Sequence, residues 1–170
     1  MSGIVRKIDD LGRIVIPKEI RSVLSIKNNE ELEIITDGDN IILKKYYRLC
    51  SFINYAEYCI KLFEKISGKK IVICDMEKVI ATSENLKELK DLKVSDKVYD
   101  MCINRCKISD SNLLLSKNKK VHKNYYFNVI LNNVDVIGSI ILFNDDEISD
   151  IDIYTVNIIK VLLQEKLKVD

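Results

Sequence analysis

The stretch from Gly3 to Arg21, GIVRKIDDLGRIVIPKEIR, decides the fold of the N-terminal part of the chain. Two short apolar runs within it, Gly3 to Ile8 and Arg13 to Ile16, predict two β-strands. Between these runs, Asp9 to Gly12 has the aspartate and glycine content of a tight turn. The stretch therefore predicts a strand, a turn and a second strand.

A short helix and a hairpin are predicted next. Pro17 stands where a helix can begin, because a first helical residue has no intrahelical partner for its N–H. We expect this helix over Lys18 to Leu24. Two further apolar runs, Glu31 to Ile35 and Asn40 to Lys45, are separated by residues 36–39. The Asp-Gly pair in this separating segment is a strong hairpin signal.

The predicted N-terminal unit is too small to be stable as a single copy. Residues 1–46 contain no cysteine and no side chains in a pattern suited to a metal site. Units of this size usually need a disulfide, a metal or a partner before they bury enough apolar surface. We therefore expect an obligate dimer formed with a second copy of the chain.

Arginine is concentrated at the start of the chain. Of the 27 lysine and arginine residues only five are arginine, and Arg6, Arg13 and Arg21 are three of these five. Residues 1–27 carry six basic and three acidic side chains, whereas residues 28–46 carry two basic and five acidic ones. Arginine is suited to bidentate contacts with phosphate and guanine, so this distribution favours nucleic-acid binding. The alternative is an ordinary solvated surface, since the unit as a whole is not basic.

These residues resemble a known family. Gly3 to Arg21, together with Leu32 to Ile34 and Ile41 to Tyr46, is similar to the swapped-hairpin DNA-binding domain of the AbrB/SpoVT transcription regulators. The resemblance implies that two chains interleave their hairpins into one small β-barrel that binds double-stranded DNA. It is consistent with the dimer expected from the size of the unit.

The resemblance also implies which side chains contact DNA. The arginines that contact DNA in the family correspond to Arg6, Arg13 and Arg21, with Lys7 as an additional contact. One position departs from the pattern, because Ser22 stands where AbrB has a second consecutive arginine. That contact is lost in this chain or is supplied from elsewhere.

The composition indicates a globular protein. The chain has 170 residues, 47% of them hydrophobic, and a net charge of +1, which excludes a general binder of polyanions. No apolar run approaches the roughly 20 residues that span a membrane. Charged residues near the N-terminus leave no apolar core for a signal peptide, so we expect a cytoplasmic location and no membrane association.

Neither the cysteines nor the histidine indicates a metal or cofactor site. The odd number of cysteines and the absence of a C-x-x-C pair argue against a disulfide framework and a zinc ribbon. Core packing is the favoured role, with a metal or redox site at Cys102 and Cys106 as the alternative. The lone histidine, His122, is expected to be solvated, and Tyr125 to Phe127 to supply core aromatics and one surface aromatic. The cysteines are Cys50, Cys59, Cys74, Cys102 and Cys106.

From residue 47 onwards the pattern is that of a second, mixed domain. Tyr46 closes the first unit, so we predict domains at residues 1–46 and 47–170. The second domain is predicted to alternate helices and hairpins, with a loop over residues 107–119 that contains a short strand or turn. The predicted elements are a helix over residues 49–66 ended by Ser67-Gly68, a hairpin of Lys70–Asp75 and Val79–Ser83, a helix around residues 94–102, a hairpin of Val121–Leu131 and Val134–Phe143, and a helix over Glu147–Leu167.

The last predicted helix is apolar nearly all round between Val156 and Leu163. A helix that is apolar on every side must be covered on every side. Burial within one domain is one explanation. We favour burial partly against the helix at residues 49–66 and partly against another subunit, which would give a homotetramer through the second domain.

The order of elements resembles a small α+β sensory domain of the GAF type, with a PAS domain as the neighbouring alternative. The resemblance is carried by Ile71 to Asp75, Val79 to Ala81, and Val136 to Phe143. It implies a swapped-hairpin β-barrel followed by a GAF-like domain, as in SpoVT-like regulators. The second domain then either binds a small-molecule effector or serves only for assembly.

The predicted function is transcription regulation. The sequence contains no G-x-G-x-x-G, Walker A, H-E-x-x-H or G-x-S-x-G motif, so no enzyme and no cofactor are predicted. The resemblance implies sequence-specific binding to genes of the sporulation or transition-state programme. An antitoxin-like module that binds both DNA and protein is the alternative, because some antitoxins share the swapped-hairpin fold.

Overall fold

The computed structural model describes residues 3–26, 28, 31–46, 49 and 52–169. The chain divides into two compact units, Met1–Tyr46 and Tyr47–Asp170. The first unit contains helix α1 and one antiparallel hairpin. Their bounds are Lys18–Val23 for α1, Leu32–Asp37 for β1 and Asn40–Lys45 for β2.

The hairpin forms as the sequence predicts. Asp37 pairs with Asn40, which leaves a two-residue turn at Gly38 and Asp39. Gly38 has a φ of +55°, a conformation that glycine adopts without steric cost and that suits the twist of a tight hairpin. The predicted helix is also confirmed. It begins with a hydrogen bond from Arg21 N to Pro17 O and ends at Val23, one residue earlier than expected.

The two strands predicted over Gly3 to Ile8 and Arg13 to Ile16 are not formed in the single chain. Among the described residues no backbone hydrogen bond joins the two segments, and the nearest one links the turn to the second segment, from Asp9 N to Arg13 O at 3.0 Å. A β-strand is defined by a continuous ladder with a neighbour, and one copy of the chain offers these segments no such neighbour. The turn predicted between them is present.

The second unit is a five-stranded antiparallel sheet with helices on both faces. The strands lie in the order β4-β3-β7-β6-β5, so β4 and β5 are the edges. The elements are α2 (Ile53–Ser67), β3 (Lys70–Asp75), β4 (Val79–Thr82), a 3₁₀ helix (Glu84–Leu89), α3 (Asp96–Ile103), β5 (Lys107–Ser116), β6 (Lys119–Asn132), β7 (Asp135–Asn144) and α4 (Asp150–Val169).

Each face of the sheet carries its own hydrophobic cluster. On one face, α2 and α4 cover alternate residues of the central strands, with Ile60, Phe63 and Ile159 among the buried contacts. On the other face, α3 and the 3₁₀ helix cover the intervening residues, including Phe127 and Phe143. This alternation is the period of two that a strand covered on both faces requires.

Most predicted elements of the second unit are confirmed, but the loop with a short strand or turn predicted over residues 107–119 is wrong in that nearly all of it is strand. Residues 107–116 form the edge strand β5, whose polar side chains face outward along most of its length. Leu113 and Leu115 alternate into the core at one end. An edge strand with one polar face has the composition of a loop, and only its pairing with β6 distinguishes the two.

Helix α4 begins at a capped and charged end. Ser149 N and Lys69 Nζ donate to Asp152 Oδ2 at 2.9 and 2.8 Å, and Asp152 N donates to Ser149 Oγ at 3.3 Å. Burial acts to raise the pKa of Asp152, but the bonds from Lys69 and Ser149 outweigh it and hold that pKa below its usual value. The arrangement is a reciprocal cap that fixes where α4 starts over the sheet.

The cysteines have the predicted packing role where the structure describes them. Cys59, Cys74 and Cys102 are free and buried, and burial raises the pKa of the Cys102 thiol to about 11. Cys106 is partly buried, and Cys50 lies outside the described residues, as do Tyr47 and Arg48 at the predicted domain junction.

One aromatic prediction is wrong. Tyr125, Tyr126 and Phe127 are all buried, so none of them is the expected surface aromatic. Tyr126 faces the side of the sheet that α4 covers, where its hydroxyl donates to Asn157 Oδ1 at 3.2 Å. His122 is exposed as expected. None of the described helices is both long enough and apolar enough to cross a bilayer.

Candidate nucleic-acid interface

A tight turn organises the basic residues of the first unit. Gly12 N donates to Asp9 O at 2.9 Å, and Gly12 has a φ of +75° that favours glycine. The carboxylate of Asp9 accepts from Leu11 N at 3.0 Å and from Arg13 N at 2.7 Å. The aspartate side chain thus closes the turn from within, as aspartate commonly does.

Asp9 also holds the side chain of Arg13. Arg13 Nε donates to Asp9 Oδ2 at 2.8 Å, although both side chains are well exposed to solvent. The backbone and side-chain hydrogen bonds from Arg13 lower the pKa of Asp9 below its usual value, so this carboxyl is ionised at neutral pH. The contact uses one edge of the guanidinium and leaves its terminal nitrogens available for a ligand.

Arg6 and Lys7 lie on the segment that leads into the turn. Both are exposed, and within the described residues neither side chain forms a hydrogen bond or an ion pair. Together with Arg13 they bring three cationic groups to the two sides of one turn. Arg6 and Lys7 can meet the phosphates and base edges of a nucleic acid without first breaking an ion pair to a described residue, and Arg13 can do so through the guanidinium nitrogens that Asp9 does not contact.

Arg21 is placed differently from the other predicted site residues. It lies near the end of α1, its Nη1 donates to Asn28 Oδ1 at 3.3 Å, and its Nε is buried without a partner in the described part of the chain. A buried N–H without an acceptor is costly. An acceptor from a second copy of the chain or from a ligand would complete the hydrogen bonding of Arg21 Nε. Ser22, beside it, is exposed.

The unit that carries these residues has almost no core of its own. Pro17 is the only residue of the described range 3–46 that is fully buried, and α1 buries none of its side chains. The apolar residues of the unit are instead largely exposed. These are Ile4, Val5, Ile8, Leu11, Ile14, Val15, Val23, Leu24, Ile34, Ile41 and Leu43.

Sequence reasoning identified the basic residues of this site but missed Asp9, which positions Arg13. The available signal was the four-residue spacing of an acidic and a basic side chain across a turn that ends in glycine. Among the described residues, no group of three or more histidine, cysteine, aspartate or glutamate side chains is arranged to hold a metal ion.

Comparison with protein-family models assigns the two parts of the chain separately. Residues 5–48 match a model described as antidote-toxin recognition MazE, bacterial antitoxin. Residues 52–164 match a model described as stage V sporulation protein T C-terminal, transcription factor. The second match alone covers more than half of the chain.

Individual relatives agree with this division. The chain is 35% identical to stage V sporulation protein T of Bacillus subtilis (strain 168) over 153 residues, which covers 86% of this chain and 85% of that protein. It is 58% identical to the transition state regulatory protein AbrB of the same organism over 45 residues, covering 26% of this chain and 47% of that protein.

A solved structure supports the fold of the second unit. The GAF domain from Acinetobacter phosphoenolpyruvate-protein phosphotransferase superposes with a TM-score of 0.53 at 9% sequence identity. The match covers 71% of this chain and 89% of that domain. At this identity the likeness concerns the fold alone, and the fold is an α+β GAF-like one, as the order of elements predicts.

Proposed function

The chain belongs to the family of stage V sporulation protein T, a family of transcription regulators rather than enzymes, and we propose that it acts by binding double-stranded DNA as a homodimer. The genes it regulates are those of the sporulation or transition-state programme. The N-terminal unit makes the DNA contacts, and the second unit controls assembly or senses an effector.

One observation carries the DNA-binding proposal. Arg6, Lys7 and Arg13 are exposed on the two sides of a single turn, and Asp9 holds Arg13 in place. In a dimer with twofold symmetry the same cluster occurs twice, which suits the repeated phosphates and pseudo-palindromic sites of duplex DNA. Arg21 contributes a fourth contact once a partner chain completes its surroundings.

The exposed apolar residues of the first unit support the dimer. A unit of this size in which Pro17 is the only buried residue among those described cannot offset its conformational entropy alone. A second copy that exchanges strands with the first would give the segments at residues 3–8 and 13–16 the ladder neighbours they lack. It would at the same time cover side chains such as Ile4 and Ile14.

The dependence of DNA affinity on salt tests this proposal. Genome-wide mapping of bound sites supplies the DNA fragments, and fluorescence anisotropy gives the dissociation constant between low and physiological salt. If about six to eight phosphates are neutralised, the logarithm of the association constant should fall against the logarithm of salt with a slope of about −5 to −7. A slope near zero would show that the basic cluster does not engage the DNA backbone.

We propose that the second unit joins two DNA-binding dimers into a homotetramer. Helices α2 and α4 lie side by side on the sheet and turn an apolar stripe away from it, here called the helical face. The sequence predicts that α4 is partly buried against another subunit because residues 156–163 are apolar nearly all round, and the exposed stripe supports that proposal. The helical face consists of Tyr58, Leu62 and Ile66 of α2 and Ile151, Tyr154, Ile158, Val161 and Leu162 of α4.

The occupant of the helical face that fits best is a second copy of the same face. Its residues recur at spacings of three and four, which is the spacing by which antiparallel helix pairs interlock. Exposed Lys61 and Lys65 of α2 border the stripe, and their long side chains can keep their ammonium groups in solvent while two copies meet. The four helices from two chains would then form a bundle.

Ile158→Glu is expected to convert the tetramer into dimers, because a carboxylate at the centre of an apolar interface loses its hydration without gaining a partner. Size-exclusion chromatography with light scattering gives the mass. Lys97→Glu, at an exposed site on α3 on the opposite side of the sheet, is the control and should remain tetrameric. A wild-type chain that is already dimeric, or an Ile158→Glu variant of unchanged mass, would contradict the assembly role.

The match to an antitoxin model supports a second candidate function, that of an antitoxin-like module that binds both DNA and protein. That match is confined to residues 5–48. The remainder of this chain is a folded sheet with two hydrophobic clusters, which is not the form of an extended segment that wraps a toxin. Purification of the chain from its host with a stoichiometric small protein bound would favour the antitoxin function over the regulator.

A further inference from the structure

The edge strand β5 has an uncovered face beside helix α4. Helix α4 packs on β6, and Tyr126 and Asn128 of β6 are buried beneath it. Their partners directly across on β5 are Ser109 and Lys107, which therefore point to the same side of the sheet. Both are exposed, because α4 does not extend over β5. We call the resulting channel the β5–α4 groove.

A buried polar network forms the wall of this groove. Asn128 Nδ2 donates to Asn157 Oδ1 at 2.9 Å and to the Tyr126 hydroxyl oxygen at 3.2 Å. Lys160 Nζ donates to Asn128 Oδ1 at 3.3 Å. The network uses the hydrogen-bonding groups of Asn128 but supplies no negative charge to the ammonium of Lys160. Among the residues that the structure describes, this neutral amide is the only hydrogen-bond partner of the half-buried ammonium.

Lys160 is consequently a cation without a counter-charge. Burial lowers its pKa, and the nearby charge of Lys107 lowers it further. Within the part of the chain that the structure describes, neither lysine belongs to an ion pair. Two like charges held together beside buried amides are an arrangement that a bound anion relieves.

Next to the lysine end of the groove lies a cavity lined by hydroxyl, amide and carboxylate side chains. This cavity, of about 340 Å³, shares Ser109 with the lysine end and lies where β5 and β6 meet the loop before α4. Asp110, Asn124 and Glu147 are also part of its lining. A ligand extending from the lysine end would therefore meet hydroxyl, amide and carboxylate groups. The two carboxylates disfavour a second negative charge at that end.

We propose that the β5–α4 groove binds a small oxyanion, a carboxylate or a phosphate group, between Lys107 and Lys160, with the neutral or cationic remainder of the ligand in the cavity at Ser109. The inference rests on the sensing role proposed for the second unit and is independent of DNA binding. It assigns the effector a chemical class and a location.

Calorimetric titration of the full chain without DNA tests this inference, with inorganic phosphate and acetate as separate probes and chloride at equal ionic strength as the blank. We expect saturable binding of at least one probe at one site per chain, and the probe that binds identifies the preferred oxyanion. Lys160→Met and Lys107→Met should each weaken it by about tenfold or more, the worth of one charge-assisted hydrogen bond.

Lys168→Met is the matched control, because Lys168 lies on the same helix but pairs with Glu165. It should leave the binding unchanged, and methionine keeps the helix propensity of the replaced lysine in the two α4 variants, at positions 160 and 168. Thermal unfolding checks that each variant is folded.

The arginine cluster of the first unit is the competing anion site. A variant with Arg6→Ala and Arg13→Ala should retain the phosphate or acetate binding. No saturable binding of either probe, equal binding by wild type and both groove variants, or loss of binding in the arginine variant would each overturn the inference. The salt slope of DNA binding, measured on the same samples, is unaffected by any of these outcomes and judges the DNA-binding proposal separately.

Discussion

Replacing both Arg6 and Arg13 by alanine is expected to weaken DNA binding by about a hundredfold or more. A dimer loses four guanidinium groups in this variant, and each phosphate or base contact of arginine is worth roughly 1–3 kcal/mol. The affinity of the variant should also depend less on salt concentration. If each removed group contacts one phosphate, the slope of the logarithm of the association constant against the logarithm of salt falls in magnitude by about 3 to 4.

The control for the arginine variant removes the same charge elsewhere. Arg105→Ala together with Lys168→Ala deletes two cationic groups from the second unit and should change the affinity by less than about threefold through long-range electrostatics alone. Anisotropy measurements on one mapped DNA fragment give both values, and light scattering checks that each variant keeps its oligomeric state. Equal losses in the two variants would mean that net charge, and not the turn, determines binding.

The sequence predicted the basic residues as one class, and the structure separates them. Among the described residues Arg6 and Lys7 have no partner, Arg13 is held by Asp9, and Arg21 is partly buried beside Asn28. A one-dimensional pattern reports that arginine is present but not what its side chain contacts. The difference between an exposed arginine and a partly buried one is visible only in three dimensions.

The edge strand shows a second limit of sequence reasoning. β5 was predicted as a loop because its first six residues are polar or flanked by polar residues, and a strand with one neighbour needs few apolar side chains. The hairpin signals at Gly38 and Asn133 were read correctly, since both turns require a positive φ that few residue types adopt. Local backbone constraints are thus predictable, whereas the position of a strand within a sheet is not.

The residues of the β5–α4 groove could not be brought together from the sequence. Lys107 and Lys160 belong to an edge strand and the last helix, and no spacing rule connects them. The exposed apolar residues of α4 were easier to predict, because a helix that is apolar nearly all round has more apolar surface than one neighbouring face covers. Sequence patterns therefore reveal a missing partner more readily than a polar site assembled across the fold.

Gly138→Ala is expected to be the most destabilising single substitution considered for the second unit. Gly138 lies in β7 between β3 and β6, and a Cβ at this position would stand 2.1 Å from the carbonyl oxygen of Cys74 and 2.6 Å from Leu49 Cδ1. The carbonyl belongs to the backbone of a central strand, so it cannot move without breaking the ladder. We expect a loss of about 3 kcal/mol or more and a melting temperature lower by roughly 10 °C or more.

Gly68→Ala separates this steric effect from the general cost of replacing glycine. Gly68 has a φ of +68° at the end of α2, but no atom lies within 4 Å of its added Cβ, so the cost should be about 1 kcal/mol. Leu49→Ala combined with Gly138→Ala removes the side-chain clash and leaves the carbonyl clash, so it should not restore stability. Thermal melts followed by circular dichroism distinguish these cases. A Gly138→Ala variant as stable as Gly68→Ala would mean that the sheet adjusts to the added Cβ. Rescue of Gly138→Ala by Leu49→Ala would mean that the side chain of Leu49, and not the backbone of β3, limits the space at this position.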